Sequence, residues 1–392
     1  MTKILSLVLL FSIPNAYGQK EANFWYFGEN AGLDFNNGGP IPLDDGQLNT
    51  REGCSSFSDA NGNLLFYSDG STVWNKDHGV MPNGTNLKGN ASSSQSAMII
   101  PKPGSNSIYY LFTVGADFDN DDYGFYYYTI DMDADSGLGD VIAGPVDLND
   151  GNASAWSEKV AATRGADCET YWVLSYVSNS FYAYKVDNSG VLSGTPVISN
   201  VAYDSGDSRR GYLKITPNGE KIAIAHMREG GLLVYDFDKS TGLVTNEISL
   251  PLTGGNGTEP YGAEFSANSE KLYVHASNDH YVDGNEPWSD HWSSLYQFDV
   301  GLPTPAAIQA SIKLIDDRNL YRGALQLGPD RKIYRSLSAT YQSGVAALGV
   351  IEEPENDGLA CNYQHAAINL ASGTLSTQGL PPFISSIFSQ IT

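Results

Sequence analysis

A strand–turn–strand unit recurs along this 392-residue chain, and that recurrence limits the possible folds more than any other feature. Leu213-Lys-Ile-Thr-Pro-Asn-Gly-Glu-Lys-Ile-Ala-Ile-Ala225 is its clearest copy. Ala263-Glu-Phe-Ser-Ala-Asn-Ser-Glu-Lys-Leu-Tyr-Val-His275 repeats it, and Leu325-Gln-Leu-Gly-Pro-Asp-Arg-Lys-Ile-Tyr334 repeats it again with a turn one residue shorter. Ser56–Tyr67, Ile99–Tyr110 and Ala162–Val173 are looser versions. In each, Pro, Asn, Asp or Gly supplies the turn, and β-branched or aromatic residues resume after it. A second element, Tyr-x-apolar-Asp, follows in four units: Tyr128/Asp131, Tyr184/Asp187, Tyr235/Asp238 and Tyr296/Asp299. Its Asp suits an Asx turn at a strand end.

The units recur every 40–60 residues, and helical periodicity is almost absent. That rhythm predicts an all-β fold, a single closed β-propeller of four-stranded blades. Six units lie inside the chain. The N-terminal stretch Phe24–Pro42 has two strands and no inner pair, whereas Leu380–Phe388 has an inner strand and no outer pair. Joined, they make one composite blade that closes the ring and leaves no exposed edge. The count is then seven, with six or eight as the alternatives if the boundaries shift.

The first residues read as a secretory signal. Lys3 is the one charge before an apolar run from Ile4 to Ile13, and Ala16-Tyr17-Gly18 offers small residues for cleavage before Gln19. The expected division is a signal peptide, 1–18, and a propeller domain, 19–392. No cysteine follows the cleavage position, so no lipoprotein signal is expected, nor is any later stretch apolar enough to span a membrane. The net charge of −23 opposes binding to nucleic acid or anionic lipid. Cys54, Cys168 and Cys361 fit no zinc spacing. They allow either one disulfide with one thiol left over or three single buried cysteines.

Several stretches resemble a known family. They are Asn23–Phe35, Asn49–Asp59, Ser94–Pro101, Leu348–Ile351, Ala360–Tyr363 and Gly379–Phe383. Together they resemble the N-terminal propeller region of large secreted Bacteroidota proteins, which usually end in gliding-motility-associated, type IX secretion (type B) sorting domains. The resemblance implies a cell-surface or secreted location, a role in adhesion or assembly, and no catalytic residue set. Unlike those proteins, this sequence stops at Thr392 without a sorting domain. The expectation is therefore either a fragment or a stand-alone version that stays periplasmic or leaves with a partner.

Chemistry-bearing candidates are few. Asp131, Asp133 and Asp135 sit at alternate positions, as hard oxygen ligands for calcium do, but Ser136 replaces the loop glycine and no Glu closes the set. Calcium is thus the one cofactor to weigh against a plain solvated turn. Asp117, Asp119, Asp121 and Asp122 are similar. Ser68–Trp74 is one residue off the Asp-box spacing of sialidase propellers and otherwise reads as a polar turn. His275, His280 and His291, with Asp279, Asp283 and Asp290, share one loop-rich stretch without a metal-binding spacing. No nucleophile elbow, HExxH or P-loop is present.

Aligning the inner strands places Glu52, Gln95, Glu158, Arg210 and Arg322 in equivalent slots, with Pro260 in the fifth unit flanked by Glu259 and Tyr261. These side chains are expected around one mouth of the channel, as a ring that binds a peptide end, sugar or ion, or as a belt of mutually paired charges. Three functions follow. The first is a non-enzymatic interaction or adhesion module of the cell surface or periplasm, with a protein or glycan partner. The second is a propeller hydrolase, lactonase-like in the strand rhythm of Leu232–Asp238, or glycan-cleaving. The third is a calcium-dependent adhesin. Carboxylates gathered at metal-ligand distance would favour the hydrolase, and Arg–Glu pairs plugging the mouth would favour the module. The 276–293 loop, with Trp288 and Trp292, is the alternative contact surface.

Overall fold

Each recurring unit forms the inner hairpin of a blade, and seven such sheets make up a closed β-propeller. The computed structural model describes residues 20–116, 124–206, 208–227, 231–279, 282, 284 and 286–389. The expected signal peptide lies outside the described residues. The clearest blade runs Leu213–Ile215, Lys221–His226, Gly231–Asp238 and Leu243–Ser249 from axis to rim, all antiparallel. The sheet beginning at Ser55 has three strands and ends in a bridge from Trp74 to Val80.

Strand alternation is weak in the sequence because neighbouring blades stack face to face. Both faces of a central strand are covered, so Ile222-Ala-Ile-Ala225 is buried at every position. The turns share one geometry. Gly62, Gly219, Ser269 and Arg331 all have positive φ, between 65° and 87°, and each donates its N–H to the residue three back. The Asp of Tyr-x-apolar-Asp closes an Asx turn as expected: Asp131, Asp187, Asp238 and Asp299 each accept from the backbone N–H two residues on. The Tyr fastens the incoming connection to its blade. Tyr184 donates to the Leu148 carbonyl at 2.6 Å and Tyr296 to that of Gly257 at 2.8 Å, while Tyr128 accepts from Lys88 N–H at 2.7 Å. In the fourth case Tyr235 acts through Glu247, which also receives the N–H groups of Ala202 and Tyr203.

The termini share a blade, but not through the segment expected. Leu380–Phe388 forms no strand that pairs with the sheet of Phe24–Phe27, Ala31–Asp34 and Ile41–Leu43; the backbone contact that joins the termini is made just before it, by Leu375. Glu29 and Leu375 exchange backbone hydrogen bonds of 2.9 and 3.1 Å. Gln378 accepts from Ala324 N–H at 2.8 Å and donates to the Arg51 carbonyl at 2.9 Å, linking the last internal blade to the second. Gly379 is required there, because a Cβ would lie 1.4 Å from the Glu52 carbonyl oxygen.

The chain beyond Gly379 then turns into the axis instead of forming a strand. Ser385–Phe388 is a 3-10 turn, and Phe383, Ile384 and Ile387 are buried. The tail packs against inner-strand residues including Gln95, Leu213, Lys214 and Gln326, leaving a void of about 20 Å³, room for about one water. Lys214 is buried beside it, bonded to Glu264 at 2.8 Å and Gln326 at 2.6 Å. The channel is thus stopped by the protein's own C-terminal segment. Phe383→Ala should cost about 3–5 kcal/mol, as for other buried aromatics. A denaturant midpoint unchanged from wild type would show that the tail merely rests on the ring.

Candidate functional site

The inner-strand slots do lie next to one another. Glu52 N–H bonds to Ala91, Gln95 N–H to Glu158, Glu158 N–H to Arg209 and Tyr212 N–H to Tyr261, at 2.8–3.2 Å. Three of the expected side chains meet directly. Arg322, 3% exposed, donates to Glu52 Oε1 from Nε at 3.0 Å and from Nη2 at 2.5 Å. Tyr261 donates its hydroxyl to the same oxygen at 3.1 Å and lies under the guanidinium at 5.1 Å. Burial opposes the charge on Arg322, but Glu52, Tyr321 and Asp279 outweigh it and hold the group firmly protonated. Arg210 joins Glu52 and Arg322 in lining a cavity of about 190 Å³ at this mouth.

Gln95 and Glu158 are placed in the ring, where Gln95 bonds to backbone and Glu158 has Ser94 among its partners. Gln95 accepts from the N–H groups of Leu213 at 2.8 Å and Val160 at 3.3 Å and donates to the Leu213 carbonyl at 3.1 Å. Glu158 accepts from Ser94 N–H at 2.9 Å and its hydroxyl at 2.8 Å. Other residues complete the cluster. Asp279 accepts from Arg322 Nη1 at 2.8 Å and Gln378 from Nε at 3.0 Å. Ser92 donates to Glu52 Oε2 at 3.2 Å, and Tyr321 and Tyr341 supply aromatic walls. Gln378 was within reach of the sequence: it is the seventh slot, visible once the inner-strand register is extended into the C-terminal stretch.

The remaining candidates do not assemble. Asp131 is committed to its Asx turn, and Asp135 and Ser136 fold back with φ of 46° and 59°. Among the described residues no group of three or more His, Cys, Asp or Glu is placed to hold a metal ion, so Asp131, Asp133 and Asp135 do not converge. The run from Asp117 to Asp122, and His280 and Asp283, lie outside the described residues. Ser68–Trp74 is the polar turn: Asp69 accepts from Ser71 and Thr72 N–H at 2.9 and 2.7 Å. Cys54 and Cys361 are buried, Cys168 is exposed, and all are free. His275 is buried against Arg335 at 3.3 Å, and His291 packs edge-on to Tyr321 at 4.9 Å. Trp288 is 59% exposed.

No family model and no curated protein matches the chain. Solved structures match it as a propeller. A candidate 6-phosphogluconolactonase from Bacteroides fragilis aligns with a TM-score of 0.51 at 9% identity, over 94% of this chain and 99% of that one. A second, from Bacteroides uniformis, gives 0.49 at 9% identity over 89% and 98%. The β-propeller domain of Cps50 (Swd1) from Myceliophteria thermophila gives 0.45 at 11% over 82% and 95%. At these identities the likeness establishes the fold alone.

Two predictions follow from the buried charges. Arg322→Ala should destabilise the fold by about 3–5 kcal/mol, because it strands two carboxylates. In a double-mutant cycle with Glu52→Gln, additive effects would sink the proposed coupling. Separately, His226 and His275 are held well below their ordinary value of 6.5, mainly by burial, with Lys159 and Arg335 adding to it. Because their folded pKa values are depressed, the stability they confer is complete above pH 6.5 and is lost as pH falls below it. Each should steepen the loss by about 1.4 kcal/mol per pH unit. Denaturant titrations at a series of pH values test this, and a flat profile from pH 7 to 5 would refute it.

Proposed function

We propose that this protein is a non-enzymatic interaction module of the bacterial cell surface or periplasm, which presents the propeller face around Arg322 to a protein or glycan partner. The observation that carries this reading is the state of the mouth. Its carboxylates, Glu52 and Asp279, are both bonded to one buried guanidinium. Hydrolysis at such a position needs carboxylates that hold a metal or a base poised to take a proton. Here the pair is neutralised and locked in place. The family resemblance supports an adhesion or assembly role linked to type IX secretion or gliding motility, and with the Met1–Gly18 stretch it supports export. Among the described residues no helix is long and apolar enough to cross a membrane.

The test joins turnover with binding. The purified chain is incubated with lactones and aryl glycosides, with and without Ca²⁺, Mn²⁺ or Zn²⁺. The expected result is no turnover above a heat-treated control. Turnover abolished by Glu52→Gln would overturn the reading in favour of a hydrolase. The partner recovered by cross-linking on intact cells should be lost with Arg210→Ala when circular dichroism shows the variant to be folded. Retention by both Arg210→Ala and Arg322→Ala would move the contact off the mouth.

A further inference from the structure

The cavity beside Arg322 has walls of a definite chemistry. About 190 Å³ is enclosed by Glu52, Ser92, Arg210, Tyr321, Arg322 and Tyr341, together with Gly284. That is below the roughly 300–1,000 Å³ of sites for drug-sized ligands, so the occupant is a single small ring or its equivalent. Tyr321 and Tyr341 stand 6.3 Å apart at 79° to one another; Tyr321 is buried under the Arg322 guanidinium at 5.1 Å, and Tyr341 is the more exposed ring. Tyr341 is held by its backbone N–H to the Gly284 carbonyl at 3.1 Å and by its hydroxyl to Ser92 at 3.1 Å.

The charges select against ions of either sign. Arg322 directs N–H groups at Glu52, Gln378, Asp279 and the Met227 sulfur, so it is a wall and not an anion clamp. An anion entering would meet the Glu52 carboxylate, and a cation would meet Arg210 and Arg322. A neutral polyhydroxylated ring meets no such opposition. Its hydroxyls find an acceptor in Glu52 Oε2, whose bond from Ser92 at 3.2 Å leaves lone-pair capacity, and a donor in a guanidinium. Its C–H face suits a tyrosine ring.

The cavity is also a dead end. Behind it the axis is filled by residues 380–388, with space for about one water. A polymer cannot thread through, so only a chain end fits. We propose that this blind cavity takes the terminal, uncharged sugar ring of a glycan. The inference rests on the interaction reading above and names the class of ligand for that same face.

The test uses the full mature chain and titration calorimetry with methyl glycosides of glucose, galactose, mannose and N-acetylglucosamine. Glucuronic acid and glucosamine serve as charged counterparts. At least one neutral glycoside should bind, with the charged rings at least tenfold weaker. Tyr341→Ala should weaken binding at least tenfold, and Tyr341→Phe should restore most of it. Oligosaccharides of the bound sugar should bind through their terminal ring and lose binding when that ring is capped by an acidic residue.

No binding by any neutral sugar at millimolar concentration would overturn the inference. So would tighter binding of the uronic acid that depends on Arg210. If sugars fail while the cross-linked partner is a protein still lost with Arg210→Ala, the glycan assignment falls and the interaction reading stands. If a methyl glycoside is cleaved during the titration, the occupant is right and the non-enzymatic reading falls.

Discussion

A ring of sheets closes only when its first and last blades are joined, and here a few backbone hydrogen bonds from one short stretch join them. Leu375 exchanges backbone hydrogen bonds with Glu29 of the first blade, and the two backbone hydrogen bonds of Gln378 bridge the blades on either side. Without them the inner strands Ser55–Ser58 and Leu325–Leu327 would flank a gap, with unpaired backbone groups facing it. The contact is long-range, joining residues near the two ends of the described chain. Pairing Glu29 with Leu375 carries a large loop-closure cost, which the packed intervening blades reduce by holding the ends close.

Within the ring, two local devices recur because the same problem recurs. A strand end needs a turn that satisfies its own backbone, and in four blades the Asp of the Tyr-x-apolar-Asp element supplies it. Connections from rim to axis need an anchor, and in four blades a tyrosine hydroxyl supplies it. The exception at Tyr235 shows the logic. Its hydroxyl reaches Glu247, and the two N–H groups of the incoming loop converge on the same carboxylate. The partner differs while the task is unchanged.

This also explains what was legible in the sequence. Turns and repeats depend on neighbouring residues, so the blades, the Asx turns and the positions of Glu52, Arg210, Tyr261 and Arg322 could be read directly. The site was legible only in part, because position in a register does not say where a side chain goes. Gln95 and Glu158 share the slot, yet Gln95 bonds to the backbone of Val160 and Leu213 and Glu158 accepts from Ser94, while Glu52 accepts from Arg322. Asp279 was visible only as a member of a histidine-rich loop. It comes to Arg322 because the chain leaves the sheet at Ser277 and returns at Ser293, an excursion with no periodicity to betray it. The expected strand in the tail is missing for a related reason. Leu380-Pro-Pro-Phe-Ile384 has the apolar character of an inner strand, but Pro381 and Pro382 lack the N–H groups a ladder needs.

Closure and the mouth are one structure. Gln378 joins the blades through its backbone, while its side chain accepts from Arg322 Nε at 3.0 Å and donates to the Tyr341 carbonyl at 3.1 Å. A buried ion cluster adds little over apolar filling of the same volume, so stability alone does not account for it. Its effect is geometric. Glu52 comes from the second blade, Tyr261 from the sixth, Arg322 from the approach to the seventh, and Gln378 from the closing segment. The guanidinium satisfies its partners together only when all four are in register. The polar wall of the cavity therefore forms with the closed ring, and its shape is set before any ligand arrives.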